Sequence, residues 1–112
     1  MLRQSKIVLG LAALVFIGFA GAAHATDAVE LRYADHRFTP ASVNVPAGQA
    51  FTVKVVNASK QTIEFESFKL NREKVVTPGE ATVVRIPALS PGSYDFYDDF
   101  HQDVPQGSIV VR

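Results

Sequence analysis

Beyond residue 26 the hydrophobic pattern has a period of two, and no helical period persists. Val29, Leu31 and Tyr33 alternate with polar neighbours, as do Val43 and Val45, then Phe51, Val53 and Val55, then Ile63 and Phe65. Val83, Val84 and Ile86 follow, then Tyr94 and Phe96, then Ile109 and Val111. Alternate residues of a strand point to opposite faces, so each run has one face to bury. The runs stop at Pro46-Ala47-Gly48, Asn57-Ala58-Ser59-Lys60, Thr77-Pro78-Gly79-Glu80 and Ser90-Pro91-Gly92, all rich in turn formers. Seven or eight short strands bounded in this way predict an all-β fold, an antiparallel β-sandwich. Phe38, Phe51, Phe65, Tyr94, Phe96 and Tyr97 are expected in its core, with Phe68 continuing the run of Ile63 and Phe65. The stretch from Phe68 to Val75 has the weakest pattern; Leu70 to Lys74 reads as a helical turn or an irregular crossover.

The N-terminus has a different character. Met1 to Lys6 is short and basic, Ile7 to Ala22 is apolar, and Ala23-His24-Ala25 fits a small-x-small cleavage site. This predicts a secretory signal peptide over residues 1–25 and a domain over 26–112. The apolar run is shorter than the roughly 20 residues that span a bilayer, so no stable membrane insertion is expected after cleavage. Arg3 and Lys6 leave with the signal, taking the 11 basic residues to nine against 11 acidic ones. A mildly acidic domain is a poor partner for nucleic acid. The chain has no cysteine, so the exported domain folds on packing alone and has no thiolate to offer a metal. The bacterial periplasm is the compartment that fits.

Chemistry-bearing residues gather between Tyr94-Asp95-Phe96 and Ile109-Val110-Val111. Asp98, Asp99 and His101 lie within four residues of one another, and Gln106 follows. Two core strands would hold this loop rigidly at one end of a sheet. Glu64 and Glu66 alternate with Ile63 and Phe65 and are expected on the outer face of their strand, where two like charges repel unless a cation or a basic group such as Arg72 or Lys74 lies near. His36, in Asp35-His36-Arg37, reads as part of a polar turn, and Glu73 with Lys74 as surface charges. No G-x-S-x-G, cysteine nucleophile or metalloprotease histidine pair supports a hydrolase.

Taken in order, Phe38-Thr39-Pro40, Val43-Asn44-Val45-Pro46-Ala47-Gly48, Val53-Lys54-Val55-Val56-Asn57, Thr77-Pro78-Gly79, Pro91-Gly92-x-Tyr94-x-Phe96 and Gly107-x-Ile109-Val110-Val111 resemble the cupredoxin superfamily. Glu64-Phe65-Glu66-Ser67, Glu73-Lys74-Val75-Val76 and Asp98-Asp99-Phe100-His101 resemble, more narrowly, the small EfeO/FtrB-type cupredoxin-like proteins of bacterial iron transport. The resemblance implies a Greek-key sandwich. It also implies a site in which Asp98 takes the place of the copper-binding cysteine, His101 that of the following histidine and Gln106 that of the axial ligand. The earlier histidine position falls on Ile63 or, with a slip of one residue, on Glu64; strand parity favours Ile63. Without a thiolate a blue-copper centre is excluded. A metal set drawn from Asp98, His101, Glu64, Glu66, Gln106 and Asp99 would suit a harder copper or iron ion. The implied role is a periplasmic accessory to ferrous-iron uptake, beside a high-affinity iron permease and a second periplasmic metal-binding protein. It would deliver iron or assist its oxidation in a ferroxidase-like way. The alternative is a metal-free cupredoxin-fold docking module for a membrane transporter.

Overall fold

The computed structural model describes residues 27–112; the expected signal peptide lies outside the described residues. Nine strands follow in order: β1 Asp27–Ala34, β2 Arg37–Thr39, β3 Ser42–Val45, β4 Phe51–Asn57, β5 Ile63–Ser67, β6 Arg72–Val76, β7 Ala81–Ile86, β8 Gly92–Asp98 and β9 Gly107–Val111. They form a sheet of order β2-β1-β4-β7 and a second of order β3-β9-β8-β5-β6. The sandwich is mixed rather than purely antiparallel: β1 runs parallel to β4, and β3 parallel to β9. Both parallel pairs arise because the chain changes sheet between β2 and β3 and again between β3 and β4, so an early strand meets a late one side by side.

Alternation decides what each strand buries. In β1, Val29, Leu31 and Tyr33 face the core; in β4, Phe51, Val53 and Val55 do the same. Ile63 and Phe65 of β5, Phe96 of β8 and Ile109 of β9 are fully buried from the opposite sheet. Phe38 sits at the centre of the aromatic packing. Its ring makes edge contacts with Tyr33 at 5.1 Å, Phe96 at 5.3 Å and Phe65 at 6.1 Å between centroids. β2, only three residues long, pairs with β1 and buries this one side chain in the core. Such aromatic pairs contribute about 0.5–1.5 kcal/mol each beyond the area they bury.

Turn chemistry closes the strands. Asp35 and His36, with φ of 54° and 61°, form the two-residue link between β1 and β2, the left-handed pair that matches the twist of a tight hairpin. His36 is exposed there, as a turn residue should be. Asn57, fully buried, ties several segments together at one end of the sandwich. Its Nδ2 donates to the carbonyls of Gln61 and Val76 at 2.7 and 2.9 Å, and its Oδ1 accepts from the Ser59 amide at 3.0 Å.

Three local expectations are corrected. The segment from Phe68 to Val75 is neither helical nor an irregular crossover: a turn at Phe68–Asn71 with left-handed Asn71 (φ 56°) leads into β6, which pairs with β5. Phe68 lies at the tip of that turn and is 87 % exposed, so it does not extend the core. Tyr97 is not a core residue either. It has the parity of Asp95, opposite to that of Phe96, and lies half-buried beside Glu66 on the outer face. Tyr33 supplies the core tyrosine instead.

Gly107 stands opposite Phe96 in the β8–β9 ladder. A Cβ there would press on the Phe96 ring, 2.6 Å from Cε1 and closer still to Cζ, and would come 2.8 Å from the Ala41 carbonyl oxygen. Gly107→Ala is therefore expected to destabilise the domain by about 1–3 kcal/mol through overpacking, read as a lower thermal midpoint. An unchanged midpoint would mean that Phe96 has room the packing does not show.

Candidate metal centre

Along β8 the inward positions are Tyr94, Phe96 and Asp98. A strand that packs Tyr94 partly and Phe96 fully into the core thus ends by burying a carboxylate, and Asp98 is 0 % exposed. An ionised group in such a place needs partners. Asp98 Oδ1 accepts from the backbone N–H of Glu64 at 3.0 Å and of Phe100 at 3.1 Å. Its Oδ2 lies 2.7 Å from His101 Nδ1. The backbone completes the clasp: the Asp99 amide donates to the Glu64 carbonyl at 2.9 Å, and the His101 amide to the Asp98 carbonyl at 3.1 Å. The Val104 amide then donates to the His101 carbonyl at 2.9 Å, which turns Val104 into the core.

His101 is 27 % exposed, so the pair joins a fully buried oxygen to a solvent-reachable ring. Behind it lies Tyr33. The Tyr33 hydroxyl is buried and forms no well-aligned hydrogen bond, although it faces the Asp98 carboxylate. Burial first, then the Asp98 carboxylate and the charge of Asp103, push its ionisation up to about 12. Spacing alone gives Tyr33 only its core parity; its reach towards Asp98 depends on how the two sheets face each other.

The remaining expected residues face outward. Glu64 and Glu66 of β5 and Asp99 place carboxylate oxygens within 4.8 Å of one another, the one such acidic or histidine-bearing group of three among the described residues. Glu66 lies opposite Tyr97 on one side and Glu73 on the other. Partial burial, followed by the charge of Glu73 and the nearness of Asp99 and Glu66, holds the Glu64 carboxyl above its usual range. Burial and the charges of Glu66 and Asp99 likewise raise the Tyr97 hydroxyl. Among the described residues no salt bridge reaches the cluster; Arg72 turns to the carbonyls of Arg85 at 3.0 Å and Asn71 at 3.0 Å. Gln106 is exposed and shares a shallow groove with Tyr97 and Gln102, whose Nε2 donates to Asp99 Oδ1 at 3.0 Å. The expected set therefore divides. Asp98 and His101 form an inner pair, Glu64, Glu66 and Asp99 an outer cluster, and Gln106 lies apart from the inner pair in its exposed groove. Ile63 is fully buried and Glu64 faces outward, as strand parity predicts.

A family model described as "Cupredoxin-like domain" matches residues 7–111. The chain belongs to the cupredoxin-like family. This cupredoxin-like chain is 40% identical, over 84 residues, to the uncharacterized protein RP394 of Rickettsia prowazekii (strain Madrid E), an alignment covering 75% of this chain and 67% of that one. Its fold is similar to the metal binding domain of the Streptococcus pneumoniae D39 Cu(I) exporting P-type ATPase CopA, with a TM-score of 0.68 at 14% identity over 80% of this chain and 88% of that chain. It is also similar to auracyanin from Roseiflexus castenholzii (TM-score 0.64, 17% identity, 76% and 96% covered). Auracyanin A of Chloroflexus aurantiacus, a "blue" copper protein, gives a TM-score of 0.66 at 17% identity, with 78% and 99% covered. At these identities the likeness is one of fold.

A blue-copper donor set does not fit this cupredoxin-like chain, because it has no cysteine and Ile63 offers no imidazole. Asp98 Oδ2 and His101 Nδ1, 2.7 Å apart, are instead an oxygen and an imidazole nitrogen, donor types that harder ions accept.

The outer cluster makes a prediction of its own. Glu64 binds its proton more tightly in the folded chain than in the unfolded one, so its contribution is most favourable below the ordinary carboxylate range and is lost as pH rises through the raised folded value. Glu64→Gln should therefore raise the thermal midpoint at neutral pH in the presence of a chelator. The gain should fade on acidification to about pH 4, where the carboxyl is itself largely protonated. A lower midpoint at neutral pH would show that the Glu64 charge is compensated.

Proposed function

We propose that this cupredoxin-like chain is an exported metal-binding protein that takes one copper or iron ion at the end of the sandwich, centred on Asp98 and His101. The observation that carries the reading is the inner pair: a carboxylate oxygen and an imidazole nitrogen 2.7 Å apart, in the loop that precedes the last strand. Oxygen and imidazole donors favour Cu(II), Fe(II) or Fe(III), Mn(II) and Zn(II) over Cu(I). Before an ion enters, the same contact holds the His101 ring with Nδ1 towards Asp98. Glu64, Glu66 and Asp99 would raise the local concentration of cations at the mouth of the site.

The cellular role proposed is a periplasmic accessory to ferrous-iron uptake, working with a high-affinity iron permease and a second metal-binding protein. The resemblance of Glu64–Ser67, Glu73–Val76 and Asp98–His101 to small iron-transport cupredoxins supports it. A bound copper or iron ion would supply one-electron exchange for assisting Fe(II) oxidation, or would itself be the cargo. The chain's own part is to position the ion and limit its contact with water.

A second reading rests on the saturation of Asp98, whose oxygens already have three protein partners. On that reading the carboxylate organises a metal-free loop. The acidic outer face, with Phe100 50 % and Val75 52 % exposed nearby in the chain, would then dock a membrane transporter.

Calorimetric titration of the purified protein with Cu(II), Mn(II), Zn(II) and anaerobic Fe(II) separates the two. The metal reading expects one equivalent bound with a Kd of about micromolar or below, roughly 8 kcal/mol. His101→Ala should weaken it by at least about tenfold, and Glu73→Ala should leave it nearly unchanged. If no ion binds, or if His101→Ala binds as the parent does, the docking reading takes its place.

A further inference from the structure

The Tyr33 hydroxyl is the one buried side-chain polar atom among the described residues with no hydrogen-bond partner. Tyr33 is only 1 % exposed. A hydroxyl shut away without a partner is unfavourable, and phenylalanine would fill the same volume without it. The ring is held from the side by Phe38 at 5.1 Å, so the hydroxyl cannot easily swing to solvent. It faces the Asp98 carboxylate, which in turn touches His101. Three donor-capable side chains, from β1, the end of β8 and the following loop, therefore converge on one spot between the sheets.

We infer that the Tyr33 oxygen is a third donor to the metal ion held by Asp98 and His101, and that the ion this set fits best is Fe(III). The inference rests on the metal reading of the inner pair. Its charge balance supports it. A phenolate and a carboxylate together supply two negative charges against a trivalent ion. Hard anionic oxygens prefer hard cations. On binding, the imidazole carries its proton on Nε2 and offers Nδ1. The Tyr33 O–H proton passes to solvent, and no electron is transferred.

The test uses the purified protein mixed with Fe(III) supplied as its nitrilotriacetate complex. Bound iron is counted after gel filtration, and the visible spectrum is recorded. A phenolate ligand to Fe(III) gives a visible charge-transfer band with tyrosinate vibrations in resonance Raman; carboxylate and imidazole alone do not. The expected result is one bound iron with that band. Tyr33→Phe should abolish the band and weaken binding by at least about tenfold, while Tyr97→Phe, on the outer face, keeps both. Tyr33→Phe keeps the ring that packs on Phe38, so a thermal midpoint in chelator close to that of the parent separates lost ligation from lost folding. Iron bound without the band, or a band that survives Tyr33→Phe, overturns the role of Tyr33 and leaves the inner pair standing. Failure of the parent protein to bind Fe(III), Cu(II) or any other ion overturns the metal reading itself and the inference with it.

Discussion

The Asp98 carboxylate is buried at the end of β8, where the strand runs out of core. Desolvating it is tolerable only because the Glu64 and Phe100 amides and the His101 ring surround it. These contacts also do structural work. The bond to Glu64 fastens the loop to β5, the bond to Phe100 bends the chain immediately after the strand, and the His101 contact fixes an otherwise mobile ring. A strand that buried a third apolar residue in place of Asp98 would leave two backbone N–H groups without acceptors, and the loop would have no defined path to β9. The geometry of the site is thus a consequence of how one buried charge is satisfied.

Parity then separates two kinds of acid. Asp98 follows Phe96 inward and Asp99 turns outward, so adjacent carboxylates enter different environments. On the inside, a single carboxylate is matched by donors. Outside, Glu64, Glu66 and Asp99 lie close enough to repel one another, and no salt bridge among the described residues joins them. Burial, and then the charges of the cluster, raise the affinity of Glu64 and Tyr97 for protons. Inner and outer acids are thus settled differently: the first by hydrogen-bond donors around it, the second by its access to solvent.

Much of this was legible in the alternation of residues. Ile63 and Phe65 inward with Glu64 and Glu66 outward follow from a period of two, and so do Val29, Leu31 and Tyr33. His36 was readable as a turn from its setting. What the pattern could not carry was contact between distant strands. The parallel pairings of β1 with β4 and β3 with β9 depend on where the chain changes sheet, which no local signal specifies. Tyr97 looked like core because it adjoins Phe96, yet adjacency in a strand means opposite faces. Arg72 to Val75 lacked an inward alternation because β6 is an edge strand with only Val76 well buried. Asp98 and His101 were visible from their spacing, but the meeting of Asp98 with Tyr33 was not, since one lies in each sheet.

Within the cupredoxin-like family the chain keeps the sandwich and has no cysteine, so the site proposed at Asp98 and His101 is one of harder oxygen and nitrogen donors. The most direct measurement is electron paramagnetic resonance of the Cu(II)-loaded protein, with and without ¹⁵N-labelled histidine. A site centred on Asp98 and His101 predicts an ordinary tetragonal nitrogen–oxygen spectrum, without the narrow copper coupling of a thiolate site, whose nitrogen signal responds to the label and disappears in His101→Ala. Copper that fails to bind, or a histidine signal that persists in His101→Ala, would contradict it.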